Sequence, residues 1–151
     1  MYPILLQDED ATAHLGRAIA ERLAPGEAVL LYGPLGAGKS TLARALIRAL
    51  TGEHEEVPSP TFTLVQIYQS HPFPVAHFDL YRLKSTAELV EIGLDEALEE
   101  GAAVIEWPER LGDVLPTDRL AIHLAPADSA GARMARIEGF GRWSGRDRFE
   151  F

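Results

Sequence analysis

The chain has no cysteine. That excludes disulfides, Cys-ligated zinc, iron–sulfur clusters and thiol catalysis. Nor does it have an apolar run near the roughly 20 residues that a membrane-spanning helix needs. Its opening, Met1-Tyr2-Pro3-Ile4, lacks the basic stretch and apolar core of a signal peptide, so a cytoplasmic location is expected. Positive charge is scarce: 14 basic residues face 23 acidic ones, for a net charge of −9. A field of that sign repels nucleic-acid phosphate and does not suit tight, autonomous RNA or DNA binding. Only Lys39 and Lys84 are lysines. No internal repeat or low-complexity tract occurs. His14, His54, His71, His77 and His123 are scattered without metal-ligand spacing. His77 and Asp79 are two apart in an apolar run, so they share a strand face, and His77 reads as a strand histidine near Asp79.

What remains is 151 residues, 46% of them hydrophobic. This suits a single domain over residues 1–151, since a domain runs to roughly 100–200 residues. The charge is unevenly spread. Glu88 to Glu100 carries only acidic charge, whereas Arg133 to Arg148 is rich in arginine. These runs suit either solvated faces or partner recognition.

Hydrophobic spacing organises the chain. Leu5 and Leu6 suit a short edge strand. Ala11, Leu15, Ala18, Ile19 and Leu23 follow helical spacing after a cap at Asp8 or Asp10, and Pro25-Gly26 ends that helix. Ala28 to Tyr32 is almost wholly apolar, as a strand buried on both faces should be. A helix follows from Lys39 to about Leu50. Thr63 to Tyr68 and Val75 to Phe78 read as a strand pair. Ser85 and Glu88 have capping-box spacing, and a short helix spans Leu94 to Glu100. Ala102 to Ile105 is a second buried strand, ending at Glu106. Leu120 to Leu124 and Ala135 to Phe140 read as two more strands, and residues 143–151 as a loosely held tail. The pattern predicts an α/β fold: a P-loop NTPase-like three-layer sandwich with a mixed central sheet flanked by helices.

The segment between the first buried strand and its helix carries the chemistry. Gly33-Pro34-Leu35-Gly36-Ala37-Gly38-Lys39-Ser40 matches G-x-x-x-x-G-K-[ST] at every fixed position. Gly36 and Gly38 let backbone amides turn inward around phosphate oxygens. The helix starting near Lys39 aims its positive end at the same place. Lys39 can reach the β- and γ-phosphates, Ser40 can offer a hydroxyl to Mg²⁺, and Thr41 can bond the α-phosphate. Such a loop needs a carboxylate at the end of a neighbouring strand. Glu106, after the cleaner apolar run, reads as the Mg²⁺-organising acid; Asp79 is a second candidate. Ser59-Pro60-Thr61-Phe62 lies where a γ-phosphate-sensing switch loop would sit.

Four motifs in this order, the phosphate loop through Thr41, Ser59-Pro60-Thr61-Phe62, His77-Phe78-Asp79-Leu80-Tyr81-Arg82 and Val104-Ile105-Glu106-Trp107-Pro108-Glu109-Arg110, resemble the bacterial TsaE (YjeE) family over residues 5 to 140. The resemblance implies a small ATPase that binds ATP/ADP and Mg²⁺ and hydrolyses slowly alone. It implies work with TsaB- and TsaD-type partners in threonylcarbamoyl modification of adenosine 37 of tRNA, the tRNA being touched only indirectly. It assigns Lys39, Asp79, Glu106 and Thr61 to catalysis, and Ser40 and Glu106 to the metal. Nucleotide contacts fall to Gly33, Leu35, Gly36, Ala37, Gly38, Lys39, Ser40, Thr41, Thr12 and Arg133, and Trp107 sits beside the site. Many family members carry Asp at the position of Pro34 and Thr at that of Ser40; Ser40 still supplies a hydroxyl. A small-molecule P-loop kinase is the alternative, although no second phosphate-gripping or lid segment is evident. A GTPase lacks support, because no Asn-Lys-x-Asp guanine signature occurs.

Overall fold

The computed structural model describes residues 2–52, 64–70, 73–85, 87–88 and 92–150. Within them the apolar runs become strands β1 (Tyr2–Leu6), β2 (Ala28–Tyr32), β3 (Val65–Tyr68), β4 (Val75–Asp79), β5 (Ala102–Glu106), β6 (Arg119–Pro126) and β7 (Arg133–Phe140). The helical spacings become α1 (Glu9–Arg22), α2 (Lys39–Thr51) and α3 (Leu94–Glu100). Short 3-10 turns follow at Pro108–Leu111 and Gly141–Trp143. All seven strands form one sheet in the order β1-β7-β6-β2-β5-β4-β3. The pairings β2–β5, β2–β6 and β4–β5 are parallel, whereas β3–β4, β6–β7 and β1–β7 are antiparallel. The sheet is mixed, as expected. Among the described residues no helix is long and apolar enough to cross a membrane.

Alternation along the strands sends side chains to two faces. Val29, Leu31, Val104, Leu120 and Ile122 join Leu15 and Ile19 of α1 and Leu42, Leu46 and Ile47 of α2 in one core. Leu30, Phe78 and Ile105 form the other with Leu111, against Leu94, Ala97 and Leu98 of α3. The result is the three-layer α/β arrangement. Burying a leucine such as Leu42 or Leu46 fully is worth about 1.5–3 kcal/mol. The two helices on the first face come very close at Gly16, where a Cβ would stand 2.7 Å from the Leu42 carbonyl oxygen. The start of α1 is capped by Asp8 Oδ1, which accepts from the Ala11 N–H at 2.8 Å. The expected capping box at Ser85 differs: Glu88 Oε1 accepts from the Lys84 N–H at 3.1 Å, one residue before Ser85.

The loose tail expected over 143–151 is corrected by residues 143–149. Trp143 is fully buried and Phe149 nearly so. The cause lies at Glu27, whose carboxylate is wholly buried ahead of β2. A buried charge needs a partner. The tail supplies one: Arg146 Nη1 donates to Glu27 Oε2 at 2.9 Å, and Arg142 Nε lies 3.7 Å from the same oxygen. Asp147 Oδ2 accepts from the Gly139 N–H, and the Phe149 N–H donates to the Tyr2 hydroxyl. Part of the arginine-rich run therefore neutralises the protein's own buried acid.

Removing one member of a buried ion pair costs about 3–5 kcal/mol. Arg146 is 35% exposed, so a smaller loss, about 2–3 kcal/mol, is expected for Arg146→Ala in urea denaturation. Adding Glu27→Gln should recover part of it. An Arg146→Ala variant as stable as the parent would show that the tail is not anchored through Glu27.

Candidate functional site

β2, β5 and β4 run parallel, so their carboxyl ends lie along one edge of the sheet. Each ends in chemistry. β2 opens into Gly33–Gly38, β5 ends at Glu106, and β4 ends at Asp79, directly opposite Glu106 in the register. The loop returns into α2 at Gly38, whose φ of 99° is one that a side chain would strain. That geometry aims the amino end of α2 back at the loop. Its first turn carries no acidic residue, which leaves the positive end of the helix to an anion. Ala37 is fully buried and pins the loop to the core, whereas Leu35 at its tip is 70% exposed.

A cavity of about 300 Å³ opens here. Of the sequence-predicted residues, Leu35, Gly36, Gly38, Lys39, Ser40, Thr41, Asp79, Glu106 and Arg133 line it, and Trp107 and Glu9 complete it. Ala37 lies behind the wall, and Gly33 acts through its carbonyl, which accepts from Lys39 Nζ at 2.5 Å. Thr12 is buried away from this lining, its hydroxyl donating to the Asp8 carbonyl at 3.4 Å. Thr61, with the Ser59–Phe62 loop, lies outside the described residues.

Lys39 is only 5% exposed. Burial pulls its ammonium below the ordinary lysine range, while the Glu106, Glu109 and Asp79 carboxylates push the other way. Its Nζ stands 3.4 Å from the centre of the Trp107 ring, a close cation–π contact. Trp107 has φ 60°, making it the one non-glycine residue with positive φ among those described. It also precedes Pro108, where extended backbone is normal. Such a conformation costs about 1–3 kcal/mol and persists only where its surroundings hold it. The Tyr81 ring, 4.9 Å away and tilted by 47°, helps to hold it.

Glu106 is buried, and both its oxygens are engaged. Ser40 Oγ donates to Oε1 at 3.2 Å, and His77 Nε2 lies 2.7 Å from Oε2. Asp79 Oδ1 accepts from the Tyr81 N–H at 3.1 Å. Burial holds the Asp79 carboxyl above the usual carboxylate range; the Tyr81 bond opposes this and Glu106 reinforces it. Arg133 crosses the loop, donating to the Gly36 carbonyl at 2.9 Å, and its buried Nε has no hydrogen-bond partner. The donors beside Lys39 are hard oxygens, a hydroxyl and carboxylates, which suit Mg²⁺. Among the described residues no group of three His, Asp or Glu could hold a metal ion. An ion at Ser40 and Glu106 would therefore draw its other ligands from phosphate and water. Sequence reasoning missed the contact of His77 with Glu106 and the place of Glu9. The first was available from period-2 alternation combined with the parallel register.

A family model described as threonylcarbamoyl adenosine biosynthesis protein TsaE matches residues 6–135. The tRNA threonylcarbamoyladenosine biosynthesis protein TsaE of Rickettsia bellii is 41% identical, over 82% of this chain and 86% of its own length. The proteins of the same name from Nostoc sp. and Streptomyces coelicolor are each 38% identical, covering 93% and 88% of this chain and 87% and 94% of theirs. The crystal structure of YdiB from Bacillus subtilis superposes with a TM-score of 0.78 at 25% identity, covering 96% of this chain and 89% of that one. The P-loop NTPase-like fold is thus shared with a solved structure.

The raised pKa of Asp79 yields a stability prediction. The folded protein holds the Asp79 proton more tightly than the unfolded chain does, so ionising this group costs stability as pH rises through the folded value. Asp79→Asn keeps an oxygen for the Tyr81 N–H and removes the charge. The nucleotide-free variant should melt at a higher temperature than the parent at neutral pH. The gain should shrink towards about pH 4, near the ordinary aspartate value. Thermal melts at several pH values test this; a lower melting temperature at neutral pH would contradict it.

Proposed function

The chain belongs to the TsaE family of threonylcarbamoyl adenosine biosynthesis proteins, and on that footing we propose that it is a Mg²⁺-dependent ATPase serving threonylcarbamoyl modification of tRNA together with TsaB- and TsaD-type partners. The observation that carries this reading is the grouping of Lys39, Ser40 and Glu106 on a glycine-rich loop at the amino end of α2. ATP or ADP would lie along Gly33 to Thr41. Lys39 would exchange the Gly33 carbonyl and the Trp107 ring for the β- and γ-phosphates. Ser40 and Glu106 would hold the Mg²⁺, directly or through water, and the ion would neutralise charge on the phosphates. Asp79 and Thr61 would sense the γ-phosphate, so that hydrolysis moves the 59–62 loop and changes affinity for the partners. Arg133 lines the same cavity and would touch the nucleotide there. The net charge of −9 favours a role on the protein side of the complex, with tRNA met indirectly; a tRNA-modification role fits a cytoplasmic location.

Lys39→Ala should abolish nucleotide binding in a fluorescent-nucleotide titration. Glu106→Ala should keep binding while hydrolysis falls by about 10²-fold or more. Hydrolysis should be weak in the purified chain and rise when TsaB, TsaD and tRNA are added. Turnover that ignored these partners and required an added metabolite would instead identify a kinase.

A further inference from the structure

His77 lies one layer beneath the floor of the cavity. On β4 it faces the same side as Asp79, towards α2, and its register partner on β5 is Val104. From there its ring reaches diagonally to Glu106, two residues further along the neighbouring strand. The two side chains are 2% and 3% exposed, and Nε2 stands 2.7 Å from Oε2. A carboxylate only accepts, so this bond is donated by Nε2–H. The other ring nitrogen, Nδ1, is buried and has no hydrogen-bond partner. The neutral tautomer with its hydrogen on Nε2 leaves only a lone pair there, a smaller penalty than a buried N–H without an acceptor. Among the described residues the hydrogen bond that His77 makes is thus to Glu106, with Asp79 acting on it only through its charge.

The terminal torsion of a glutamate is broad, with no staggered wells to fix the carboxylate plane. Two anchors fix it here: His77 on Oε2 and Ser40 on Oε1. The Ser40 anchor is the weaker, at 3.2 Å, and in the proposed reaction its hydroxyl is needed elsewhere. We propose that His77 is a positioning residue which, by donating Nε2–H to Oε2, keeps Oε1 of Glu106 turned towards Ser40 and the phosphate loop. The inference rests on reading Glu106 as the acid that organises Mg²⁺ and water. His77 is not among the residues that line the cavity, so its part in the reaction would run through Glu106.

The test is MgATP hydrolysis by the full chain with TsaB, TsaD and tRNA, alongside nucleotide affinity, Mg²⁺ dependence and melting temperature. His77→Leu fills similar space without a donor. Its turnover should fall by about 10–100-fold, as for lost partners of metal-site ligands. Nucleotide affinity should stay within about threefold, because Lys39 and the loop are untouched, and half-maximal activity should need more Mg²⁺. His77→Gln places an amide N–H near the position of Nε2 and should restore most of the turnover; the shorter His77→Asn should not. The double variant His77→Leu/Glu106→Gln should be no slower than Glu106→Gln alone. The inference is overturned if His77→Leu keeps parental turnover and Mg²⁺ dependence, if glutamine and asparagine behave alike, or if the two losses multiply. A fall in affinity, turnover and melting temperature together would also overturn it, by marking a purely structural histidine. Should the leucine variant fail to fold, the glutamine–asparagine comparison decides. Parental turnover in Glu106→Gln itself would sink the underlying reading of Glu106, which is a separate result.

Discussion

Three strands running the same way, β4, β5 and β2, set up everything else in the molecule. A parallel ladder puts the strands' carboxyl ends side by side, so whatever follows each strand meets at one edge. Here that places Asp79 opposite Glu106, and Glu106 beside the loop that leaves β2. Ligands of open α/β sheets collect at such edges because the backbone turns outward there and the amino ends of the helices point back. An antiparallel β5 would carry Glu106 to the far end of the sheet, some 15 Å away at about 3.3 Å per residue. The antiparallel pairings, β3–β4, β6–β7 and β1–β7, are confined to the flanks, where they extend the sheet without disturbing that edge.

The site gathers charge of both signs around one cavity. Lys39 is buried among Glu106, Glu109 and Asp79 and is held between a carbonyl and an indole face. Neither contact is a full ion pair. Trp107 bears strain in that position, immediately after Glu106 and before Pro108. The backbone around β5 is therefore tuned for local contact with the phosphate loop rather than for maximal stability.

The parts legible in the sequence were those with local causes. The phosphate loop declares itself because glycine, lysine and hydroxyl must fall at fixed offsets. The strands and helices among the described residues follow from periodicity, and their bounds moved by only a few residues; the helix expected to open at Ser85 lies largely outside those residues. The carboxylates at Glu106 and Asp79 could be picked because each ends an apolar run. The parts that were hidden depend on distant partners. His77 is a strand histidine near Asp79, as its spacing suggests, but its hydrogen bond runs across the ladder to Glu106, which spacing along one strand does not reveal. The tail looked loose because polar residues and glycines interrupt its apolar positions. It is ordered by Glu27, more than a hundred residues earlier. The positive φ at Trp107 runs against its residue type, so no propensity could have disclosed it. Thr12 was carried over by resemblance; it is buried in the first turn of α1 and is not among the residues that line the cavity.

The pinned tail has one more consequence. The Phe149 N–H bonds to the Tyr2 hydroxyl, and Arg22 lies over the Phe149 ring. The two extremities of the described chain thus meet, beside the start of β1. Strand directions put that meeting point at the opposite end of the sheet from the phosphate loop. Tension or disorder at Tyr2 or at Phe149 would therefore act first on the pole away from the cavity, and each of the two segments steadies the other. The fold keeps its handles at one pole and its chemistry at the other.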